Sequence, residues 1–250
     1  MHLGQAFNIL TYNTHVAIDA TNRAKRAMNL WQHILPSKEK ASNLIKISKH
    51  LGPFDIIGIQ ESDAGSLRSG FTNHTEKLAQ LARFGHWADQ VNRDWGGIAR
   101  HSMGVISNHR IHNVSHHKLP GSIAGRSLML TYFDLEGQVL AFAMTHLSLG
   151  EKDRIRQSRY IGETLSKIKT RVILVGDFNC GFDSEEISLI SDLAGLRVAT
   201  GSGPTYPSWN PKHRLDHILV SDGIQIDHIE TLDKLRLSDH LPLGARIIIR

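Results

Sequence analysis

The sequence predicts an α/β protein on mixed sheets, read as two packed sheets under outer helices in preference to one doubly wound sheet. Three observations point there. Strand-like runs outnumber helical ones, the connections between them require both hairpins and crossovers, and no repeat, low-complexity tract or linker divides the 250 residues. One domain over residues 1–250 is therefore expected.

Runs of aliphatic and β-branched residues read as strands at Phe7 to Thr14, Ile56 to Gln60, Gly104 to Ser107, Leu128 to Leu135 and Val139 to His146. Four more follow at Arg171 to Asp177, Leu215 to Ser221, Gln225 to Thr231 and Leu243 to Ile249. "DLEGQVL" supplies a hairpin turn at Glu136 and Gly137, and "SDGIQI" predicts a second near Gly223. Helices fall between some of these strands. One follows Pro36, with Leu44, Ile45 and Leu51 near one face and Gly52 with Pro53 as its stop. Asn73 with Glu76 resembles a capping pair ahead of Leu78 and Leu81, and Asp183 with Glu186 repeats it before Ile187 and Ile190. Glu151 to Ile168 carries an apolar stripe at Ile161, Leu165 and Ile168. Asp19 to Pro36 fits neither period; Met28, Leu30, Trp31, Ile34 and Leu35 are expected to pack there, with a lid over a site as the alternative.

Composition narrows the class. No window approaches eighteen uninterrupted apolar residues, and "MHLGQAFNIL" lacks the order of a signal peptide, so a soluble cytoplasmic protein without membrane insertion is expected. A single cysteine, Cys180, excludes an internal disulfide framework. The 29 Lys and Arg against 24 Asp and Glu give +5, which permits polyanionic partners; the basic residues are scattered, as on solvated helix faces.

The strand ends carry the chemistry. Asn13 ends "FNILTYN", Glu61 ends "DIIGIQE", His146 ends "LAFAMTH", and Asp177 with Asn179 ends "VILVGDFN". Asp216 precedes "HILV", and Asp239 with His240 precedes the last strand. Any one of these reads equally well as a turn cap. Jointly, side chains two apart on a strand face one way, so Asp177 and Asn179 are expected to converge. Glu61, Asp177 and Asp239 offer hard oxygens suited to Mg²⁺ or Mn²⁺, and His146 and His240 exchange protons near neutral pH.

"TYNTH", "IIGIQES", "MTHLSLG", "VGDFNCG", "RLDHILVS" and "LSDHLPL" together resemble, in order, the blocks of the endonuclease/exonuclease/phosphatase superfamily, over residues 7 to 247. The resemblance implies a four-layer α/β sandwich, DNase I-like, with two mainly antiparallel mixed sheets flanked by helices. It implies hydrolysis of a phosphate ester, modestly favouring a nuclease over a phosphatase or phosphodiesterase of a small metabolite or lipid headgroup. An inactive binding protein of the same fold is the alternative from another class. Residue by residue, Glu61 is similar to the principal metal ligand, Asn13 to the amide assisting metal or phosphate, and Asp239 to a metal-side carboxylate. Asp177 resembles the group orienting the attacking water, Asn179 a donor to phosphoryl oxygens, His240 the general base, and Asp216 its orienting acceptor. His146 resembles the second histidine, and Arg126 in "GRSL" a phosphate-contacting arginine. Two departures stand out. "IARHSMGVIS" offers Arg100, His101 and Ser102 where an acid pairs the second histidine in DNase I type enzymes, and His15 stands where some abasic-site nucleases carry aspartate.

Other features read less sharply. "HNVSHH" brings His112, His116 and His117 to suggestive zinc spacing, but without the glutamate of a zinc-protease helix it reads as a surface loop. Cys180 reads as a small filler of its turn. "DAGSLRSGFTN" is either a solvent loop or a presenter of Arg68 to a substrate phosphate. "TYPSWNPKHRLDH" sets Tyr206, Trp209, Lys212 and Arg214 ahead of Asp216, for stacking on a base or for packing. A lipid substrate predicts an exposed aromatic or aliphatic hairpin, for which Asp19 to Pro36 is the one candidate.

Overall fold

The computed structural model describes residues 5–20, 22–135 and 137–249; Glu136 and the Leu30 side chain lie outside the described set. Among the described residues, twelve strands form two six-stranded mixed sheets. In the first lie β1 (Gln5–Asn13), β2 (Ile56–Asp63), β3 (His86–Asp94), β4 (Arg100–Ser107), β11 (Ile224–Thr231) and β12 (Leu243–Ile249), in the order β11-β12-β1-β2-β4-β3. In the second lie β5 (Ile111–Lys118), β6 (Ser127–Leu135), β7 (Gln138–His146), β8 (Arg171–Asp177), β9 (Arg197–Val198) and β10 (Asp216–Val220), in the order β5-β6-β7-β8-β10-β9.

Alternation along the strands divides the apolar residues among three layers of contact. Ile9, Met103, Val105, Phe142, Met144, Val175 and Ile247 fill the space between the sheets. Their strand neighbours face outward. Leu10, Ile57 and Ile59 meet Leu44, Ile47 and Leu78 of α2 (Lys38–Ser48) and α3 (His74–Ala82). Ala141, Ala143 and Leu174 meet Ile161, Leu165, Ile187 and Ile190 of α4 (Glu151–Leu165) and α5 (Glu185–Ala194). The result is helix, sheet, sheet, helix. No helix among the described residues is long and apolar enough to cross a membrane.

Each sheet holds one parallel pair, β1 with β2 and β7 with β8, among antiparallel neighbours. Register sets Asn13 opposite Gln60, His146 opposite Asp177, and Asp177 opposite Asp216. Gly176 lies one residue before that layer, opposite Thr145, with φ +150, and a Cβ there would stand 2.0 Å from the Thr145 carbonyl oxygen, so only glycine lets β8 lie this close to β7.

Several expectations are corrected. The turn at Gly223 is no hairpin: it carries the chain from β10 in one sheet to β11 in the other. The "HNVSHH" segment is the edge strand β5; His112 and His116 are exposed, and a four-residue offset along a strand separates them by about 13 Å, too far to share an ion. Strand β3 is an edge strand as well, and its polar, exposed sequence carries no periodic signal. The cap of α5 is Ser184, whose hydroxyl accepts from the Ile187 N–H, in place of Asp183. In the stretch from 19 to 36, α1 (Arg23–Met28) precedes a 3₁₀ turn, and Met28, Trp31, Ile34 and Leu35 are exposed instead of packed. The buried Lys40 ammonium holds the turn by donating to the carbonyls of Gln32, Leu35 and Arg68.

Candidate active site

The C-terminal ends of β1 and β2 meet those of β7 and β8 at one rim, where polar side chains replace apolar ones. Asp177 is buried there, and its Oδ2 is the point of convergence. The Asn13 amide donates to it at 3.0 Å, His146 Nε2 lies at 3.4 Å and His240 Nε2 at 3.6 Å. Asn13 also donates to Glu61 Oε1 at 3.2 Å, and His146 Nε2 stands 3.9 Å from that same oxygen. His240 Nδ1 meets Asp216 Oδ2 at 2.8 Å, a hydrogen bond that directs the opposite ring nitrogen toward Asp177. The Tyr206 ring packs on His240 at 4.9 Å.

Asn179 reaches the site by a route other than strand alternation. Strand β8 ends at Asp177, and Asn179, at φ +52, donates its backbone N–H to Asp177 Oδ1 and its side-chain amide to the Leu147 carbonyl. An Asx turn braces the carboxylate. Glu61 lies within a break in the β2/β4 register, between Ile59 and Ser62, and has φ +50. Three consecutive left-handed residues, His15, Val16 and Ala17, lie beside it, so five of the seven non-glycine residues with positive φ among the described residues border this rim. Such backbone persists only where surrounding contacts impose it, at about 1–2 kcal/mol each.

The electrostatics divide the groups. Burial pushes the Asp177 carboxyl up to about 7, against the pull of His240. For His240 burial acts downward, but Asp216 and Asp177 more than reverse it and hold the imidazolium well above the ordinary value. Burial, aided by the Arg126 guanidinium, pushes His146 down to about 3, so that ring is neutral at pH 7. Burial also acts against the Glu61 carboxylate, yet His146, His15 and the Asn13 amide outweigh it and keep Glu61 ionised.

Glu61 is the most accessible of these acids, with 32% of its side chain exposed, and it lines a cleft of about 260 Å³ with His146, Arg126, Arg93, Trp95 and His101. Its hard carboxylate oxygen at the cleft wall fits a divalent cation. Asp177, Asp216 and His240 also offer ligand atoms within 4.8 Å of one another, and the buried Asp216 Oδ1 has no hydrogen-bond partner among the described residues. The 2.8 Å bond between His240 and Asp216 already commits two of these three, which makes Glu61 the better anchor.

Asp239 is buried beside His240, and its carboxylate reaches Ser238 Oγ at 3.4 Å. Arg68 does not face the cleft. It is 1% exposed, with Nε 2.6 Å from Asp63 Oδ2 and Nη1 3.3 Å from His101. The "DAGS" loop turns inward because Asp63 Oδ1 accepts the N–H groups of Gly65 and Ser66 and draws Arg68 after them. Arg214 lies over Phe182 at 5.2 Å and donates to the Ala199 carbonyl, a packing role. Cys180 is buried, which pushes its thiol up to about 11, and its carbonyl accepts from His217. Arg93, Trp95 and His33 escaped the sequence reading. Only the exposed "RDWGG" turn hinted at the first two.

Comparison with known proteins places this arrangement. The model of the Endonuclease/Exonuclease/phosphatase family matches residues 10–240. No curated protein sequence matches. Among solved structures, an endonuclease/exonuclease/phosphatase from Bacteroides vulgatus is similar at TM-score 0.75 and 17% identity, over 98% of this chain and 100% of the other. A mannosyl-6-phosphatase of Bacteroides thetaiotaomicron aligns at TM-score 0.73 and 16% identity, over 97% and 100%. Beta toxin of Staphylococcus aureus aligns at 0.70 and 13%, over 96% and 99%. With the strand ends, the sheet order and the matched span in agreement, the chain belongs to the endonuclease/exonuclease/phosphatase family.

Proposed function

We propose that the chain, as a single domain, is a divalent-metal-dependent phosphoesterase that hydrolyses a P–O bond by in-line attack of water, with nuclease or phosphodiesterase activity as the leading reading. The observation that carries it is the meeting of Asn13, His146 and His240, from separate strands and loops, on Asp177 Oδ2. Glu61, with Asn13 and Asp239, would hold Mg²⁺ or Mn²⁺, which when bound offsets phosphate charge and acidifies water.

Asp177 orients the attacking water, and His240, its ring set by Asp216, takes the proton as general base in its unprotonated form, which Asp216 and Asp177 reserve for alkaline pH. Asn179 spends one amide hydrogen on Leu147 and has the other for a phosphoryl oxygen. His146, neutral through burial, serves as a hydrogen-bond donor to a phosphoryl or leaving oxygen instead of a charged acid. Arg126 lines the cleft, and its charge reaches both Glu61 and Asp177, where it opposes the build-up of negative charge on phosphorus. Arg68 acts in this scheme only through Asp63 and the end of β2.

A phosphatase of a small phosphorylated metabolite is the second reading, favoured by the compact cleft of about 260 Å³. Both are tested by incubating the protein with Mg²⁺, Mn²⁺ or EDTA against plasmid DNA, RNA, sphingomyelin and a panel of phosphomonoesters, beside His240→Ala. Hydrolysis should need the metal and fall at least ~10²-fold in the variant. Activity surviving both chelation and the substitution refutes the mechanism; hydrolysis of monoesters and never of polynucleotides selects the second reading.

A further inference from the structure

We infer that the cleft is built for a substrate carrying a second phosphate group beyond the scissile one, and that Arg93, held by Trp95, selects it. The inference rests on the phosphoesterase reading and concerns the part of the cleft which that reading leaves unused.

The cleft wall carries two guanidiniums, Arg93 and Arg126, and one carboxylate, Glu61. Neither arginine makes a salt bridge among the described residues. The nearby acids are engaged elsewhere: Asp94 pairs with Arg100 at 3.3 Å and accepts the Gly97 N–H, and Asp89 accepts from Asn73. Two cations facing one cleft repel each other, an arrangement sustained when anions neutralise both. Arg126 is matched to the scissile phosphate beside Glu61 and Asp177. Arg93 has no counterpart in that chemistry.

Arg93 is also held in place. Its guanidinium lies 4.8 Å over the Trp95 ring, which meets His101 edge-on at 5.7 Å. Its aliphatic stem packs on Gly125, where a Cβ would come within 3.3 Å of the Arg93 Cβ and 3.5 Å of its Cδ, at φ +106. The register break between Val91 and Arg93 frees Asn92 to accept the Ser127 hydroxyl at 2.6 Å, which ties β3 to the residue after Arg126. An exposed guanidinium stacked on one face, with its stem packed against the Gly125 backbone, presents its N–H fork with less left to order, as suits an oxyanion such as phosphate.

The first test is binding in EDTA, comparing pyrophosphate with orthophosphate by calorimetry. The second is kcat/KM with Mg²⁺ for a thymidine dinucleotide with and without a 5′-phosphate, and for fructose 1,6-bisphosphate against fructose 6-phosphate. These pairs separate a polynucleotide source of the second phosphate from a small-molecule one. Wild type should favour the second phosphate about tenfold to hundredfold, as a charge-assisted contact predicts. Arg93→Gln and Trp95→Ala should collapse that ratio toward one. Arg110→Gln, in the exposed turn at the far end of β4, should leave it unchanged. Absence of the preference in wild type, its survival in Arg93→Gln, or an equal loss in Arg110→Gln overturns the inference. An Arg93-dependent preference for pyrophosphate without hydrolysis of any substrate upholds the second-phosphate site and refutes the phosphoesterase reading instead.

Discussion

Replacing Asp216 by asparagine removes one charge and almost no volume from the 2.8 Å bond that orients His240. Both side chains are nearly inaccessible, 6% and 1% exposed, so solvent screens the pair weakly. At an effective dielectric constant near 20, opposite charges about 3 Å apart attract by roughly 6 kcal/mol. Desolvation cancels most of this, leaving about 1.5–3 kcal/mol, the usual worth of a charge-assisted hydrogen bond. That alone is about tenfold to hundredfold in rate. Because the asparagine amide also favours the wrong imidazole tautomer, the whole loss in kcat is expected at ~10² to 10⁴. The assay is hydrolysis of bis(p-nitrophenyl) phosphate with Mg²⁺, with urea denaturation run in parallel and the His240 ring nitrogens followed by NMR. A positioning role requires that kcat fall while KM holds, that the variant stay folded in the assay despite a lowered urea midpoint, and that the Nδ1–H resonance move. A folded Asp216→Asn protein with kcat within about threefold of wild type refutes the assignment.

Stability should fall with acid through the buried histidines, against Asp177, which is pushed up to about 7 and gains its proton in the fold over the same range. Burial pushes His74 and His217 down to about 4, so from about pH 6.5 to about pH 4 the unfolded chain binds protons that the fold does not. Each should remove about 3 kcal/mol over that window. Urea midpoints at pH 7.5 and 4.5 measure this, and a smaller slope in His217→Phe is the expected control; equal midpoints would count against it. Arg68→Met leaves the buried Asp63 carboxylate unpaired and should cost about 3–5 kcal/mol in the same assay, with partial recovery in Arg68→Met/Asp63→Asn. Recovery failing entirely would mean that Arg68 acts through packing alone. Gly176→Ala forces a methyl to 2.0 Å from the Thr145 carbonyl oxygen and should part His146 from Asp177, with at least a ~10²-fold loss of activity or outright misfolding. Wild-type activity and melting temperature would refute that strain.

The layers and the rim were legible because their signals are local: a buried strand that turns polar at its end says where it emerges. Asn13, Glu61, His146 and Asp177 are read this way, Asp216 and His240 as polar residues ahead of a strand, and the sheets bring the six together. What failed had non-local causes. Strands β3 and β5 lie at sheet edges, where one side faces solvent and no apolar period is needed. The apparent hairpin at Gly223 has the right turn residues, but partner choice is decided by which sheet has an open edge. Arg93 and Trp95 matter only because the loop at Gly125 closes against them. Arg68 was misplaced although its partner lies five residues away; Asp63 followed by Ser66 was the available clue to an inward turn.

The second sheet is one continuous stretch of chain from β5 to β10, whereas the first is begun by β1 to β4 and finished by β11 and β12. During synthesis the strands bearing Asn13, Glu61, His146 and Asp177 therefore emerge while β1 still lacks a neighbour on one side. Strand β12 fills that gap, and His240 precedes it by three residues. The step that closes the first sheet thus also delivers the last polar group to the rim, so assembly of the candidate site and completion of the fold arrive in the same event.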